Sequence, residues 1–64
     1  MYKKKIRQEI YYIEKFGIKK HAENQGISDV DGYLASLKGR VAFVLQTCPE
    51  ACDFKRYREF LKSL

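Results

Sequence analysis

Few residues in this 64-residue chain are equipped for bond-making chemistry. His21 is the sole histidine, and Cys48 and Cys52 are the sole cysteines. A structural zinc site takes about four ligands, so the two thiols would need two more, and a single histidine cannot supply both. The cysteines do not form a CxxC pair. Their four-residue spacing puts them on one side of a helix. They read as small, buried or half-buried residues of a reducing, cytoplasmic compartment. Asp29 and Asp31 lie close together, but their place before an apolar stripe makes them helix-start residues. There is no Gly-rich phosphate loop, no nucleophile elbow and no carboxylate pair at catalytic spacing. The expectation is a chain with no catalytic residue, no metal, no cofactor and no small-molecule substrate.

What chemistry the chain does carry is electrostatic. Thirteen Lys and Arg oppose eight Asp and Glu, which leaves a net charge of +5 and a pI near 9.4. That balance favours an anionic partner, nucleic acid ahead of a membrane surface. The competing reading is a basic solvated surface with no specific partner. Hydrophobic residues make up 45% and charged residues 33%, an ordinary globular composition. No apolar run approaches the roughly 20 residues that span a bilayer. The N-terminus, MYKKKIRQEIYY, begins like a signal peptide, but Glu9 and Glu14 interrupt its apolar region.

Three amphipathic helices must position these charges. The first is expected from Tyr2 to Phe16, with Ile6, Ile10 and Ile13 as its stripe, Tyr2 extending it and Gly17 stopping it. Ile18 to Asn24 has room for one further turn or a short helix, ended by Gly26. The second long helix is expected from Asp29 to Gln46, capped by Ser28 or Asp29. Val30, Leu34, Leu37, Val41, Val44 and Cys48 step by four and three without a miss. The third is expected from Pro49 to Lys62. There Thr47 and Glu50 read as a capping box, and Pro49 falls in the first turn. Phe54, Tyr57, Leu61 and Leu64 form its stripe, widened by Phe60. Short connections imply one all-α domain over residues 1–64, a compact three-helix bundle with a short helical turn between its first and second helices.

Two faces lie opposite these stripes. On the first helix, Lys4, Arg7, Gln8, Tyr11 and Lys15 fall away from the isoleucines. Lys and Arg neutralise phosphates, and Gln and Tyr donate to phosphate or sugar oxygens. On the second, Gly32, Ala35, Gly39 and Ala42 recur at three and four, beside Phe43. A glycine within a helix costs on the order of 1 kcal/mol against alanine, so a compensation is expected. It is either close packing by another helix or close approach of a nucleic-acid backbone. Lys38 and Arg40 flank Gly39 within reach of phosphates, or simply solvate the helix. Lys55, Arg56, Arg58 and Lys62 share their helix with Glu59, a mixed face. His21 reads as structural or solvated.

The order of these features resembles the thumb region of bacterial retron-type reverse transcriptases. It runs from a basic amphipathic helix ending in IEKFG, through a histidine four residues after that glycine, to YLASLKGRVAFVLQTCPE and a final Y-R-E-F-L helix. Tyr33, Leu34, Leu37, Gly39, Arg40, Val41, Phe43 and Pro49 occupy the places where that family carries its aromatic, leucine, glycine, basic, aliphatic and proline positions. The resemblance covers nearly the whole chain. It implies a thumb that holds an RNA/DNA template–primer duplex beside the palm domain of a parent polymerase. It also implies a first helix lying along the minor groove, with Lys4, Arg7, Gln8, Tyr11 and Lys15 on the sugar–phosphate backbone. The palm's catalytic aspartate pair and all fingers motifs are absent, so this chain alone does not polymerise. Two other readings stand beside it. One is a protein-interaction module docking through Gly32, Ala35, Gly39, Ala42 and Phe43. The other is a small sequence-specific DNA-binding helical protein.

Overall fold

Apolar residues three and four apart bury one face of each helix, and the chain folds by bringing those faces together. The computed structural model describes the backbone of residues 2–64 and the side chains from residue 3 onward. The side chain of Tyr2, expected to extend the first stripe, lies outside the described residues. The architecture is all-α, with helices α1 (Tyr2–Phe16), α2 (Ile18–Asn24), α3 (Val30–Thr47) and α4 (Asp53–Lys62). The segment allowed one further turn or a short helix is thus a helix in its own right, and the described residues contain four helices where three long ones were expected.

Ile6, Ile10 and Ile13 of α1 are buried against Leu37, Val41 and Val44 of α3 and against Phe54 and Leu61 of α4. Burying a large apolar side chain of this kind contributes about 1.5–3 kcal/mol. The predicted stripes therefore hold, with half-buried Leu34, Tyr57 and Phe60 on their margins. Leu64 departs from its stripe and is exposed, since α4 ends at Lys62.

Two glycines set the α1–α2–α3 path. Gly17 (φ 93°) accepts the end of α1, its N–H donating to the Ile13 carbonyl, and opens α2 by accepting from the His21 N–H. Gly26 (φ 73°) closes α2: its N–H donates to the Glu23 carbonyl while the Ile27 N–H donates to Ala22. These are the paired bonds of a Schellman motif, which needs a left-handed residue at this place. Asp29 caps α3, its carboxylate accepting from the Gly32 N–H at 3.0 Å.

The expected start of the last helix is overturned. Thr47 remains the last residue of α3, and its hydroxyl donates back to the Phe43 carbonyl at 3.0 Å, so no capping box forms with Glu50. Residues 48–52 make a turn that drops Ala51 into the core, and α4 begins at Asp53. Ala51 is buried in the core cluster from this turn. Cys48 and Cys52 accordingly flank the turn, one ending α3 and one preceding α4, and share no helix face. Both thiols are free. Cys48 is half-buried as expected, whereas Cys52 is exposed.

Candidate nucleic-acid interface

The isoleucine stripe turns one side of α1 inward, and the 100° advance per residue then fixes what the rest of the helix presents. Lys4, Gln8, Tyr11 and Lys15 all lie exposed on the side away from the core. None of them is ion-paired to a described residue. The Lys15 ammonium sits 3.4 Å from the Tyr11 hydroxyl and 5.6 Å from its ring centroid, which joins the two into one cationic and aromatic element.

Arg7 belongs to a different environment. It lies on the flank toward α4, where its guanidinium donates to the Asp53 carboxylate at 2.6 Å and covers the Phe54 ring at 5.2 Å. The hydrogen bond from Arg7 holds the Asp53 carboxyl below its usual range. Of the five residues expected on this face, Arg7 is the one met by an acid, and that acid comes from a neighbouring helix, which a helical projection of α1 alone cannot show.

Arg40 is also engaged. It reaches Glu9 of α1 at 2.9 Å, with side-chain exposures of 27% and 17%. The same Glu9 carboxylate accepts from the Tyr33 hydroxyl at 3.1 Å, and that hydroxyl lies 3.0 Å from Nε2 of buried His21. The Tyr33 hydroxyl has one proton and gives it to Glu9, so His21 Nε2 must carry the hydrogen it shares with Tyr33. The result is a chain, Arg40–Glu9–Tyr33–His21, that ties α3, α1 and α2 together. Burial first, then the Glu9 charge, keep the Tyr33 phenol protonated well above its ordinary range. Arg40 Nε is buried without a hydrogen-bond partner, which marks the imperfect end of the chain. Of the pair expected beside Gly39, Lys38 is exposed, while Arg40 mainly holds the fold.

Of the two roles expected for His21, structural or solvated, burial and the Tyr33 hydrogen bond make it structural, but its partners cannot be read from spacing along the chain. One clue was available. Glu9 borders the isoleucine stripe and lies between two of its members, where an acid requires a partner. The partners stand 24 and 31 positions away, beyond any helical periodicity.

The Gly/Ala face of α3 is solvent-exposed. Gly32, Ala35, Gly39 and Ala42 are exposed, and Phe43 is 55% exposed. The two glycines have separate causes. At Gly32 an added Cβ would run into the capping carboxylate of Asp29. At Gly39 it would meet nothing within 4 Å, so packing inside this domain does not account for that glycine.

Neither a protein-family model, nor a curated protein, nor a solved structure matches this chain. No described helix is long and apolar enough to cross a membrane. Among the described residues, no three of His, Cys, Asp and Glu converge as a metal-binding group.

Proposed function

We propose that this domain is a non-catalytic, nucleic-acid-binding thumb similar to that of a retron-type reverse transcriptase. It holds an RNA/DNA template–primer duplex by sequence-independent backbone contacts in the cytoplasm, beside the palm of a parent polymerase. Helices α1, α3 and α4 form the three-helix frame of the thumb, and α2 is a short insertion. The observation that carries the reading is the outer side of α1, where Lys4, Gln8, Tyr11 and Lys15 are exposed together and none is spent on an ion pair to a described residue. The minor groove of an A-form-like duplex is wide and shallow and shows sugar hydroxyls and phosphates. A helix side with ammonium, amide and phenol groups suits it. Such contacts position a duplex without reading its sequence, as an advancing polymerase requires.

The test is titration of a labelled RNA/DNA hybrid with the domain at low and moderate salt, repeated with Lys4→Gln/Lys15→Gln. Binding should be saturable, indifferent to sequence and salt-sensitive. The double substitution should lower the salt slope by roughly 0.7–0.9 for each phosphate that is no longer neutralised. A variant that binds with the parent's affinity and slope would remove α1 from the interface. Absence of salt-sensitive hybrid binding would end the reading for the domain by itself, and preference for one DNA sequence would replace it with that of a specific DNA-binding protein.

A second reading is supported by the open face of α3. Gly39 faces space and Phe43 is largely exposed, an arrangement that suits a protein helix packing closely there. Binding of this kind would persist at high salt and fail on Phe43→Ser.

A further inference from the structure

Beside the outer side of α1 runs the seam between α1 and α2, and its chemistry differs from that of the duplex face. Tyr12 and Phe16, one turn apart on α1, lie nearly parallel at 13° with centroids 6.2 Å apart. Tyr12 is also within 17° of parallel to the His21 ring at 6.0 Å. Such spacings belong to offset rings, which leave part of each face uncovered. Tyr12 is 37% and Phe16 49% exposed.

These rings floor two hollows of about 180 and 240 Å³ that share Tyr12, His21 and Gln25. Enclosed pockets for small organic ligands run to roughly 300–1,000 Å³, so the seam suits something flat laid against it rather than an engulfed ligand. Its rim is amide-rich, with Gln8 at one end and Asn24 beside Gln25 at the other. Each amide offers both donors and an acceptor. Lys5 borders one hollow, and Lys15 stands 5.9 Å from the Phe16 ring at the other end. Glu9 also borders the first hollow, but its charge is met by Arg40 at 2.9 Å.

Parallel exposed rings, amides at the edges and cations at both ends match the needs of an unpaired nucleotide. Every base has a face that stacks on an aromatic ring, whatever its identity, and a phosphate that a lysine neutralises. Inside a duplex those faces and edges are hidden. We propose that the α1–α2 seam stacks the unpaired bases of a single strand where it leaves the duplex held on the outer side of α1. This deepens the duplex reading and rests on it. Tyr12 and Phe16 are the stacking residues, Asn24 and Gln25 meet the base edges, and Lys5 meets a phosphate, while Gln8 and Lys15 stand at the border shared with the duplex face.

The experiment compares three probes with the full chain at low salt: a blunt RNA/DNA hybrid, the same hybrid with a short single-stranded overhang carrying 2-aminopurine, and that single strand alone. The overhang should raise affinity about tenfold over the blunt hybrid, the scale of one base stacked on an aromatic side chain. The 2-aminopurine fluorescence should change as the base stacks. Tyr12→Leu and Phe16→Leu, made separately so that one folding failure does not end the test, should each cut the gain from the overhang. Blunt-hybrid affinity and helical circular dichroism should stay at parental values. Equal affinity for blunt and overhanging hybrids would overturn the seam proposal while leaving the duplex reading intact. So would an overhang gain that both leucine variants retain, because cations alone would then explain it. Binding of the single strand with no binding of the blunt hybrid would overturn the duplex reading and leave the seam as the site.

Discussion

Removing one oxygen atom tests whether the buried polar chain holds this fold together. In Tyr33→Phe the hydroxyl between Glu9 (3.1 Å) and His21 Nε2 (3.0 Å) is lost. Glu9 keeps Arg40 at 2.9 Å and remains partnered. His21 is only 3% exposed, and its Nε2–H would face a phenyl ring. An unsatisfied buried donor costs about 1–3 kcal/mol, and the slightly more apolar phenylalanine offsets a fraction of that. A loss of about 1.5–2 kcal/mol is expected. A domain of this length has a total stability of roughly 3–10 kcal/mol, and 1 kcal/mol moves its midpoint by about 4–8 °C. Thermal unfolding followed by helical circular dichroism should therefore show a midpoint about 6–16 °C lower. The same variant has a pH signature. The phenol's folded pKa lies above its unfolded value of about 10, so its contribution is complete below that pH and declines as pH rises through the folded value. The gap between parent and variant should be constant from pH 7 to 9 and narrow in strong alkali. A midpoint less than about 4 °C below the parent at neutral pH, smaller than a loss of about 1 kcal/mol would give, would refute the role of the hydroxyl. It would mean that His21 finds another acceptor along the α1–α2 seam.

Two further substitutions probe the flanks of α1 and the open face of α3. Arg7→Gln should leave hybrid affinity much closer to the parent than Lys15→Gln does, because Arg7 is held by Asp53. Asp53 has a folded pKa below its unfolded value of about 3.9, so its stabilising share is present above that pH and lost as pH falls through the folded value. Urea midpoints of parent and Arg7→Gln should accordingly differ by a small constant amount at neutral pH and converge once acid protonates the Asp53 carboxylate in the folded state. Gly39→Ala meets no atom within 4 Å and replaces a poor helix former, so it should raise stability by about 0.5–1 kcal/mol, read as a higher unfolding midpoint. If the more stable variant also loses hybrid or protein binding, close approach at Gly39 is the reason for the glycine.

The sequence made the helices legible wherever the governing forces are local or periodic. The isoleucines of α1, the Leu37–Val41–Val44 stripe of α3 and the stops at Gly17 and Gly26 needed only spacing and backbone conformation. The start of α4 differs from its local pattern because Thr47 and Glu50 match a capping box in sequence, whereas the Thr47 hydroxyl bonds back to the Phe43 carbonyl within α3 and Ala51 lies buried in the intervening turn. Four of the five residues expected on the basic side of α1 lie exposed there without an ion pair to a described residue. The fifth, Arg7, is exposed as well but pairs with Asp53, 46 positions away. Pairings at that separation leave no periodic trace in one sequence.

The division of labour among the cations bears directly on the proposed function. Three arginines make ion pairs between helices, and every pair involves α1: Arg7 with Asp53 of α4, Arg56 of α4 with Glu14, and Arg40 of α3 with Glu9. Lys4, Lys5, Lys19, Lys20 and Lys38 stay exposed, with no ion pair to a described residue. Exposed ion pairs add little stability individually. Here they stand on both flanks of α1, and the rotation of that helix about its axis is the quantity they constrain. A one-residue slip would turn the helix by about 100° and break all of them while exposing the isoleucines. The planar guanidinium, with its fixed donor fork, suits a pairing that must hold one geometry. The ammonium, a mobile point charge, suits phosphates that must be released and met again as a duplex advances. On the proposed reading, the arginines at the seams between helices fix the fold, and the lysines with no ion pair to a described residue are the cations left to meet a duplex.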